Sequence, residues 1–178
     1  MDDARFAAHL AVEAERILMK LRDSSELEGS ALGDAADRAA NAYLMDTLRR
    51  VRPDDAILSE EECDTAARLS ARRVWIIDPL DGTREYREGR ADWAVHIGLS
   101  VDGVAKTGAV ALPALEVVYA TDDAAALPAL PARPRMIVSR SRPPKDALDV
   151  AAKLDAELVE MGSAGAKAMA VLRGEADI

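Results

Sequence analysis

The sequence predicts an α/β protein with a mixed α+β N-terminal part, which contains an antiparallel sheet, and a C-terminal part built as β-α-β-α. Three observations support this prediction. Apolar residues recur at helical spacing over roughly the first 50 residues. Short apolar runs and an Asp-Gly turn follow, as is typical of strands and a hairpin. After residue 135, short strand and helix patterns alternate, which favours parallel pairing.

Two helices are predicted at the start of the chain. Apolar residues three and four apart predict an amphipathic helix from Asp3 to Arg22. The stretch 23–33 contains two glycines and several polar residues, so we predict a loop there. A second helical pattern begins near Ala35, and Pro53 ends it because proline cannot continue a helix.

The middle of the chain is predicted to form strands. Apolar runs bounded by polar clusters predict strands at 56–59, 74–77, 93–101, 104–112 and 117–120. The dipeptide Asp102-Gly103 suits a two-residue turn, so the strands on either side of it are expected to pair as an antiparallel hairpin. The first two strands are each followed by acidic residues.

A boundary between two structural units is predicted near residue 130. The stretch 121–134 is rich in Ala and Pro and has no periodic pattern. We therefore expect an α+β domain over residues 1–130, to which the acids described below assign metal binding, and the incomplete start of an α/β domain over residues 135–178. The elements predicted in the second unit are strands at 136–139 and 157–161 and helices at 144–154 and 163–173.

Composition argues against several classes of partner. The net charge of −9, from 32 acidic and 23 basic residues, opposes binding to a nucleic-acid polymer. Apolar runs are too short to span a bilayer, and the N-terminus lacks a signal pattern, so we expect no membrane partner and a cytoplasmic location. Cys63 is the only cysteine, which excludes an internal disulfide and a cysteine metal cluster.

The segment DPLDGT, residues 78–83, is the strongest candidate site. It places the carboxylates of Asp78 and Asp81 beside Gly82 and the hydroxyl of Thr83, directly after a predicted buried strand. Carboxylates favour magnesium or calcium over zinc, and a helix starting near Thr83 would direct N–H groups at an anion. The alternative is a capped strand-to-helix turn with no ligand. A calcium-binding EF-hand loop is excluded, because its acids and glycine have a different spacing. An aspartyl-phosphate phosphatase is excluded as well, because Pro79 occupies the position of its nucleophilic Asp.

Further acids lie upstream of this segment. The run Glu60-Glu61-Glu62 follows the predicted strand at 56–59, and two adjacent strand ends in one sheet would bring it to Asp78 and Asp81. The alternative reading of such a run is a solvated loop. Asp34 and Asp37 open the second predicted helix, where acids commonly act as caps, so by themselves they carry no functional claim.

Together these segments resemble the inositol monophosphatase superfamily, in which Glu-Glu after one strand precedes a strand ending in Asp-Pro-(Ile/Leu)-Asp-Gly-Thr. The matching segments here are ILSEE (57–61), WIIDPLDGTREY (75–86) and AAD (35–37). Ser-Glu-Glu and Gly-Thr-Arg-Glu-Tyr are most similar to the CysQ-type branch, the 3'(2'),5'-bisphosphate nucleotidases. The resemblance implies a layered αβαβα sugar-phosphatase-like fold, here truncated.

The resemblance also implies roles for individual residues. The implied magnesium ligands are Glu60, Asp78, the Leu80 carbonyl and Asp81. Asp37 and Thr83 would orient the attacking water, the backbone N–H groups of Gly82 and Thr83 would receive the phosphate, and Lys167 would lie near the nucleotide. Two or three Mg²⁺ ions per site, inhibition by Li⁺ and assembly as a homodimer are implied in the same way.

Two departures from the family pattern stand out. The nucleotide branch has a Gly-Ser-Ser-Leu-Lys segment, and this chain places Ala164 and Gly165 there. Family members also continue to a Trp-Asp-x-Ala-Ala-Gly segment whose Asp bridges the metals, whereas this sequence ends at Ile178. We therefore expect a fragment of a longer protein.

The resemblance implies magnesium-dependent hydrolysis of 3'-phosphoadenosine 5'-phosphate to AMP and phosphate, by activated water and without a phosphoenzyme. An inositol-1-phosphate or fructose-1,6-bisphosphate phosphatase is the alternative within the same chemistry. A non-catalytic metal-binding or dimerisation module is the alternative from a different class. His9 and His96 fall within helix and strand patterns, and we predict no catalytic role for either.

Overall fold

The computed structural model describes residues 1–123 and 129–178. The helices are α1 (Asp3–Ser24), α2 (Gly29–Val51), α3 (Thr83–Arg87), α4 (Lys145–Lys153) and α5 (Ala164–Leu172). The strands are β1 (Ala56–Ser59), β2 (Arg73–Asp81), β3 (Ala94–Val101), β4 (Val104–Leu112), β5 (Val117–Ala120), β6 (Arg135–Ser139) and β7 (Glu157–Met161). The predicted mixed α/β fold class is confirmed.

Strands β1 to β5 form one sheet in sequential order. In this sheet β1 pairs with β2 in parallel, and the other three pairs of neighbouring strands are antiparallel. The predicted hairpin is confirmed: Asp102 and Gly103 both have positive φ, +52° and +74°, as a two-residue type I' turn requires. The parallel pair matters most for the site, because it places the ends of β1 and β2 at the same edge of the sheet.

Two long helices pack on this sheet. α1 lies against β3, β4 and β5, and α2 lies against β2 and α3. The buried stripe of α1 consists of Phe6, Ala7, Leu10, Ala11, Ala14 and Leu18, a spacing that turns one helix face to the core. Phe6 meets Trp75 edge to face, with ring centroids 5.6 Å apart. None of the helices in the described ranges has an apolar stretch long enough to cross a bilayer.

Helix α2 begins earlier than the sequence pattern indicates. The prediction of a loop over 23–33 is wrong from Gly29 onwards, because α2 starts there and Leu32 and Gly33 are buried inside it. A Cβ added to Gly33 would lie 2.8 Å from Thr83 Cγ2. The glycine therefore permits close helix packing, and this tertiary contact outweighs its low helix propensity.

The C-terminal part forms a second, two-stranded sheet. β6 and β7 pair in parallel, as predicted, with α4 between them and α5 after β7. Asp92 joins this part to the first sheet, since its carboxylate accepts from the Gly162 N–H at 2.6 Å and its carbonyl accepts from the Ser163 N–H at 3.2 Å. The division into domains at 1–130 and 135–178 stays a prediction, and residues 124–128 of the predicted boundary lie outside the described residues.

Candidate metal and phosphate site

The DPLDGT segment lies largely inside a strand. We predicted that the strand ends at Ile77, but β2 continues to Asp81. Asp78 pairs with His96 and Asp81 with Ala94, and the register shifts between these two pairs. Pro79 has no backbone N–H to donate to the neighbouring strand, and this explains why regular pairing is interrupted between Asp78 and Asp81. Such a bulge redirects side chains, and it leaves both Asp78 and Asp81 close to His96.

The structure brings Glu60 to Asp78, although the two residues come from different strands. Ser59 lies opposite Ile77 in the parallel pair, and the Glu60 N–H donates to the Ile77 carbonyl at 3.2 Å. The carboxylates of Glu60 and Asp78 are close enough that a side-chain hydrogen bond and the charge of Glu60 both act on the pKa of Asp78. The predicted convergence of the two acidic segments is therefore present in the structure.

The acids of this cluster have strongly altered pKa values. Burial, followed by the negative charges of Glu60 and Asp81, raises the pKa of Asp78 to about 7. Burial would raise the pKa of Asp81 too, but hydrogen bonds from His96, the Gly165 N–H and Ser163 outweigh it and hold that pKa well below the usual range. Like charges packed at one point destabilise each other unless a cation neutralises them.

The donor set fits a hard divalent cation. One potential ligand atom each from Asp78, Asp81 and His96 lies within 4.8 Å of the others. Carboxylate and carbonyl oxygens predominate once Glu60 and the Leu80 carbonyl are included, and such ligands suit magnesium or calcium. The position of His96 is a finding that the sequence did not reveal, because only the register of β3 against β2 places it opposite Asp78.

Asp37 and Thr83 form a second part of the site. The Thr83 hydroxyl lies 3.4 Å from Asp37 Oδ2 and 3.2 Å from the Leu80 carbonyl oxygen. Asp37 is buried in the interior of α2, so it is not the helix cap that its position suggested. Burial, then the charge of Glu61, raises the pKa of Asp37 to about 7, although the Thr83 hydrogen bond opposes the rise.

A buried polar network holds the acidic loop after β1. The Ser59 hydroxyl donates to Asn41 Oδ1 at 2.7 Å, and Asn41 Nδ2 donates to Glu62 at 3.1 Å. The Glu61 N–H donates to the Ser59 hydroxyl at 3.2 Å. Asn41 was not predicted as a site residue, and its position on α2 one turn after Asp37 is the signal that could have found it.

Gly82 lies where the two sheets approach each other. Its φ of +91° is a conformation that favours glycine, and an added Cβ would lie 3.1 Å from the Cβ atoms of Ser163 and Trp93. Lys167 lies across the gap on α5, and its ammonium donates to the carbonyls of Gly162 and Ser163. Glycine at residue 82 thus lets β2 meet the start of α5.

A cleft of about 380 Å³ opens between these elements. It is lined by Asp81, Gly82, Thr83, Arg84, Glu85, Ser139, Ser141, Arg142, Gly162, Ser163, Ala164 and Lys167. The lining thus combines the carboxylates of Asp81 and Glu85 with basic and hydroxyl side chains. Such an arrangement can hold a phosphorylated small molecule with a phosphate next to the carboxylates.

A carboxylate cluster at the ends of two parallel strands, beside an anion-compatible cleft in this α/β fold, defines a phosphatase. The chain belongs to the inositol monophosphatase family, whose family model matches residues 3–126. The resemblance noted from the sequence is therefore confirmed, and so is the prediction of an enzyme of this phosphatase family.

Known proteins agree with this assignment. The chain is 47% identical to the 3'-phosphoadenosine 5'-phosphate phosphatase of Mycobacterium leprae over 99% of this chain and 71% of that protein. It is 40% identical to the 3'(2'),5'-bisphosphate nucleotidase CysQ of Escherichia coli over 48% of this chain and 35% of that protein. The crystal structure of CysQ from Bacteroides thetaiotaomicron superposes with a TM-score of 0.81 at 22% identity, covering 98% of this chain and 77% of that one.

Proposed function

We propose that this chain belongs to a magnesium-dependent phosphatase that hydrolyses 3'-phosphoadenosine 5'-phosphate to AMP and phosphate. The observation that carries the proposal is the convergence of Glu60, Asp78 and Asp81 at the ends of β1 and β2, beside a cleft that Asp81 lines together with Arg142 and Lys167. The proposed substrate is that of the 3'-phosphoadenosine 5'-phosphate phosphatase that is 47% identical over nearly the whole chain.

The side chains of Glu60, Asp78 and Asp81 and the carbonyl of Leu80 would hold Mg²⁺, and the family resemblance implies two or three ions. When bound, magnesium supplies positive charge that lowers the pKa of water and stabilises the attacking and departing oxygens. The raised pKa of Asp78 supports this role, because a bound cation would neutralise the crowded negative charges that raise it.

Thr83 and Asp37 would position the attacking water. The Thr83 hydroxyl, held between Asp37 Oδ2 and the Leu80 carbonyl, can accept from that water while it donates to Asp37. Asp37 has a pKa of about 7 and is suited to receive the proton as the water oxygen bonds to phosphorus. The ester P–O bond breaks in the same displacement, and the departing sugar oxygen takes up a proton.

The basic residues of the cleft favour a substrate with a second anionic group. Arg142 and Lys167 line the cleft together with Ser139 and Ser141. The Arg142 N–H donates to the Ser139 hydroxyl at 3.3 Å, which fixes the turn after β6. Cationic and hydroxyl donors together suit phosphate oxygens, so the 5'-phosphate would lie there while the 3'-phosphate meets the carboxylates.

Phosphate release tests the proposal. We would compare 3'-phosphoadenosine 5'-phosphate, inositol-1-phosphate and fructose-1,6-bisphosphate as substrates, with magnesium and with a chelator. We expect the first substrate to give the highest kcat/KM, and Asp81→Asn to abolish release while the exposed control Asp54→Asn retains it. Magnesium binding with no release from any substrate would instead support a non-catalytic metal-binding module.

Assembly and location are further proposals. A homodimer is proposed on the family resemblance, and size-exclusion chromatography with light scattering tests it. A cytoplasmic location and inhibition by Li⁺ also stay predictions, which cell fractionation and inhibition of phosphate release would test.

A further inference from the structure

One oxygen of Asp81 accepts three hydrogen bonds. Its Oδ2 lies 2.6 Å from the Ser163 hydroxyl, 2.7 Å from the Gly165 N–H and 2.9 Å from His96 Nε2. An ionised carboxylate can only accept, so the His96 Nε2 atom carries a proton in this contact. The donors come from β3 and from the start of α5, which are far apart in the sequence. The Asp81 side chain is consequently fixed from two sides.

The space that His96 occupies depends on Gly165. A Cβ added to Gly165 would lie 2.4 Å from His96 Nε2 and 3.0 Å from Ala94 Cβ. Gly165 lies within α5 and is not among the residues with positive φ, so its backbone conformation does not require glycine. Glycine at residue 165 therefore leaves room for the imidazole of His96. This contact explains why the chain has glycine where it departs from the nucleotide-branch pattern.

We propose that His96 and Gly165 are a positioning pair for the carboxylate of Asp81 in the metal site. His96 donates to Oδ2 and thereby fixes the orientation of the carboxylate that would hold the cation, while Gly165 supplies both the backbone N–H donor and the space for the ring. This inference rests on the proposed function, because it assigns Asp81 as a magnesium ligand. Partners that orient ligating carboxylates commonly change metal affinity or activity by about 10–100-fold when they are removed.

His96 acts as a donor in this proposal and not as a metal ligand. Magnesium prefers oxygen ligands, and Nε2 is already engaged with Asp81. His96→Gln tests the donor role, because its amide N–H can replace the imidazole N–H. Rescue by glutamine is expected for a donor, since a donor needs only an N–H at that position.

The first test is magnesium affinity measured by isothermal titration calorimetry. We expect His96→Leu to weaken binding about 10-fold or more, His96→Gln to restore most of it, and the exposed control His9→Leu to match the unmodified chain. Melting temperatures without magnesium check that each variant folds. Equal affinity of His96→Leu and the unmodified chain overturns the positioning role alone. Absence of magnesium binding in the unmodified chain overturns the proposed function and this inference together.

The second test is a double-mutant cycle. Gly165→Ala keeps the backbone N–H but displaces the ring, so we expect it to weaken magnesium binding about as much as His96→Leu does. In the His96→Ala background the added methyl no longer meets the ring, and only the Ala94 Cβ contact at 3.0 Å remains, so Gly165→Ala should then have a much smaller further effect. Additive losses of affinity would contradict the pairing, since independent sites add whereas contacting ones do not.

Discussion

Gly33 on α2 lies directly against Thr83 on α3, such that an added Cβ would stand 2.8 Å from Thr83 Cγ2. Asp37, four residues further along α2, lies on the same helix face and accepts from the Thr83 hydroxyl. One face of α2 therefore fixes both the methyl and the hydroxyl of the residue that we propose orients water. In the proposed mechanism, Gly33 would therefore help to position Thr83 although it is far from the DPLDGT segment in the sequence.

Gly33→Ala should reduce turnover although the substitution is normally favourable within a helix. Alanine has better helix propensity than glycine by about 1 kcal/mol, but here its methyl would displace Thr83. We expect kcat for phosphate release to fall about 10- to 100-fold, as small misplacements of reacting groups do. Gly98→Ala is the control, because its Cβ would meet only the Ile76 carbonyl oxygen at 3.6 Å. Equal kcat values for the two variants would refute this role.

For turnover, the hydroxyl of Thr83 should matter more than the size and shape of the Thr83 side chain. Thr83→Val keeps the volume and removes the group that contacts Asp37, so we expect kcat to fall about 100-fold or more. Thr83→Ser keeps the hydroxyl and should retain most activity. Steady-state kinetics with 3'-phosphoadenosine 5'-phosphate distinguishes them, and a valine variant as active as the serine variant would exclude the proposed water-orienting role.

Sequence patterns within short segments predicted many of the strands and their pairing. The type I' hairpin follows from Asp102-Gly103, and the parallel β6–β7 pair follows from alternating strand and helix patterns. The meeting of Glu60 with Asp78 was predictable because strands that run parallel end at the same edge of a sheet. These features depend on residues close in sequence or on a simple rule of sheet geometry.

Features that depend on distant contacts were not predictable. α2 begins at Gly29 because Gly33 packs against Thr83, 50 residues away in the sequence. The pairing of β2 with β3 extends the strand to Asp81 and brings His96 into the acid cluster. Ser163 reaches Asp81 only when the second sheet docks on the first. Each of these features depends on how distant segments pack together, and the sequence of a single segment does not show that packing.

Without magnesium, the chain should be less stable at neutral pH than at mildly acidic pH. Burial and neighbouring acids raise the pKa values of Asp37 and Asp78 from 3.8 to about 7, so the folded state binds more protons than the unfolded state between these values. Their stabilising contribution is present below pH 4 and is lost as the pH rises through 7. The lowered pKa of Asp81 affects the free energy of unfolding only below pH 4, outside this pH range.

Thermal melts at about pH 5 and about pH 7.5 measure this effect. We expect a lower melting temperature at the higher pH in a chelator, and a loss of ~1 kcal/mol corresponds to about 2–4 °C at this chain length. Magnesium should reduce the difference by neutralising the ionised acids, and Asp37→Asn should reduce it in the chelator. A melting temperature that rises with pH in the chelator would show that the two carboxyl groups do not titrate as described.

Arg140 should contribute strongly to the junction between the two sheets. It follows β6 and donates to Glu85 at 2.7 Å and to Glu88 at 2.8 Å, and the Glu85 side chain is only 8% exposed. Arg140→Met would leave the Glu85 carboxylate without this partner, so we expect the free energy of unfolding to fall by more than it does when a surface ion pair is removed. Urea denaturation measures it.

Arg68→Met is the matched control for this prediction. Arg68 pairs with Asp64 at 2.7 Å near the surface, where ion pairs contribute only about 0–1 kcal/mol. A loss for Arg140→Met no larger than that for Arg68→Met would mean that the junction does not depend on the ion pair with Glu85.

Glu60 is the acid that β1 contributes beside Asp78 and Asp81 of β2, so it tests most directly whether acids from two parallel strands hold magnesium. The measurement is the magnesium dissociation constant of Glu60→Gln by calorimetry, beside the exposed control Glu26→Gln. We predict that Glu60→Gln weakens binding at least ~10-fold and that the control leaves it unchanged. The same dissociation constant for both variants and the unmodified chain would contradict the claim.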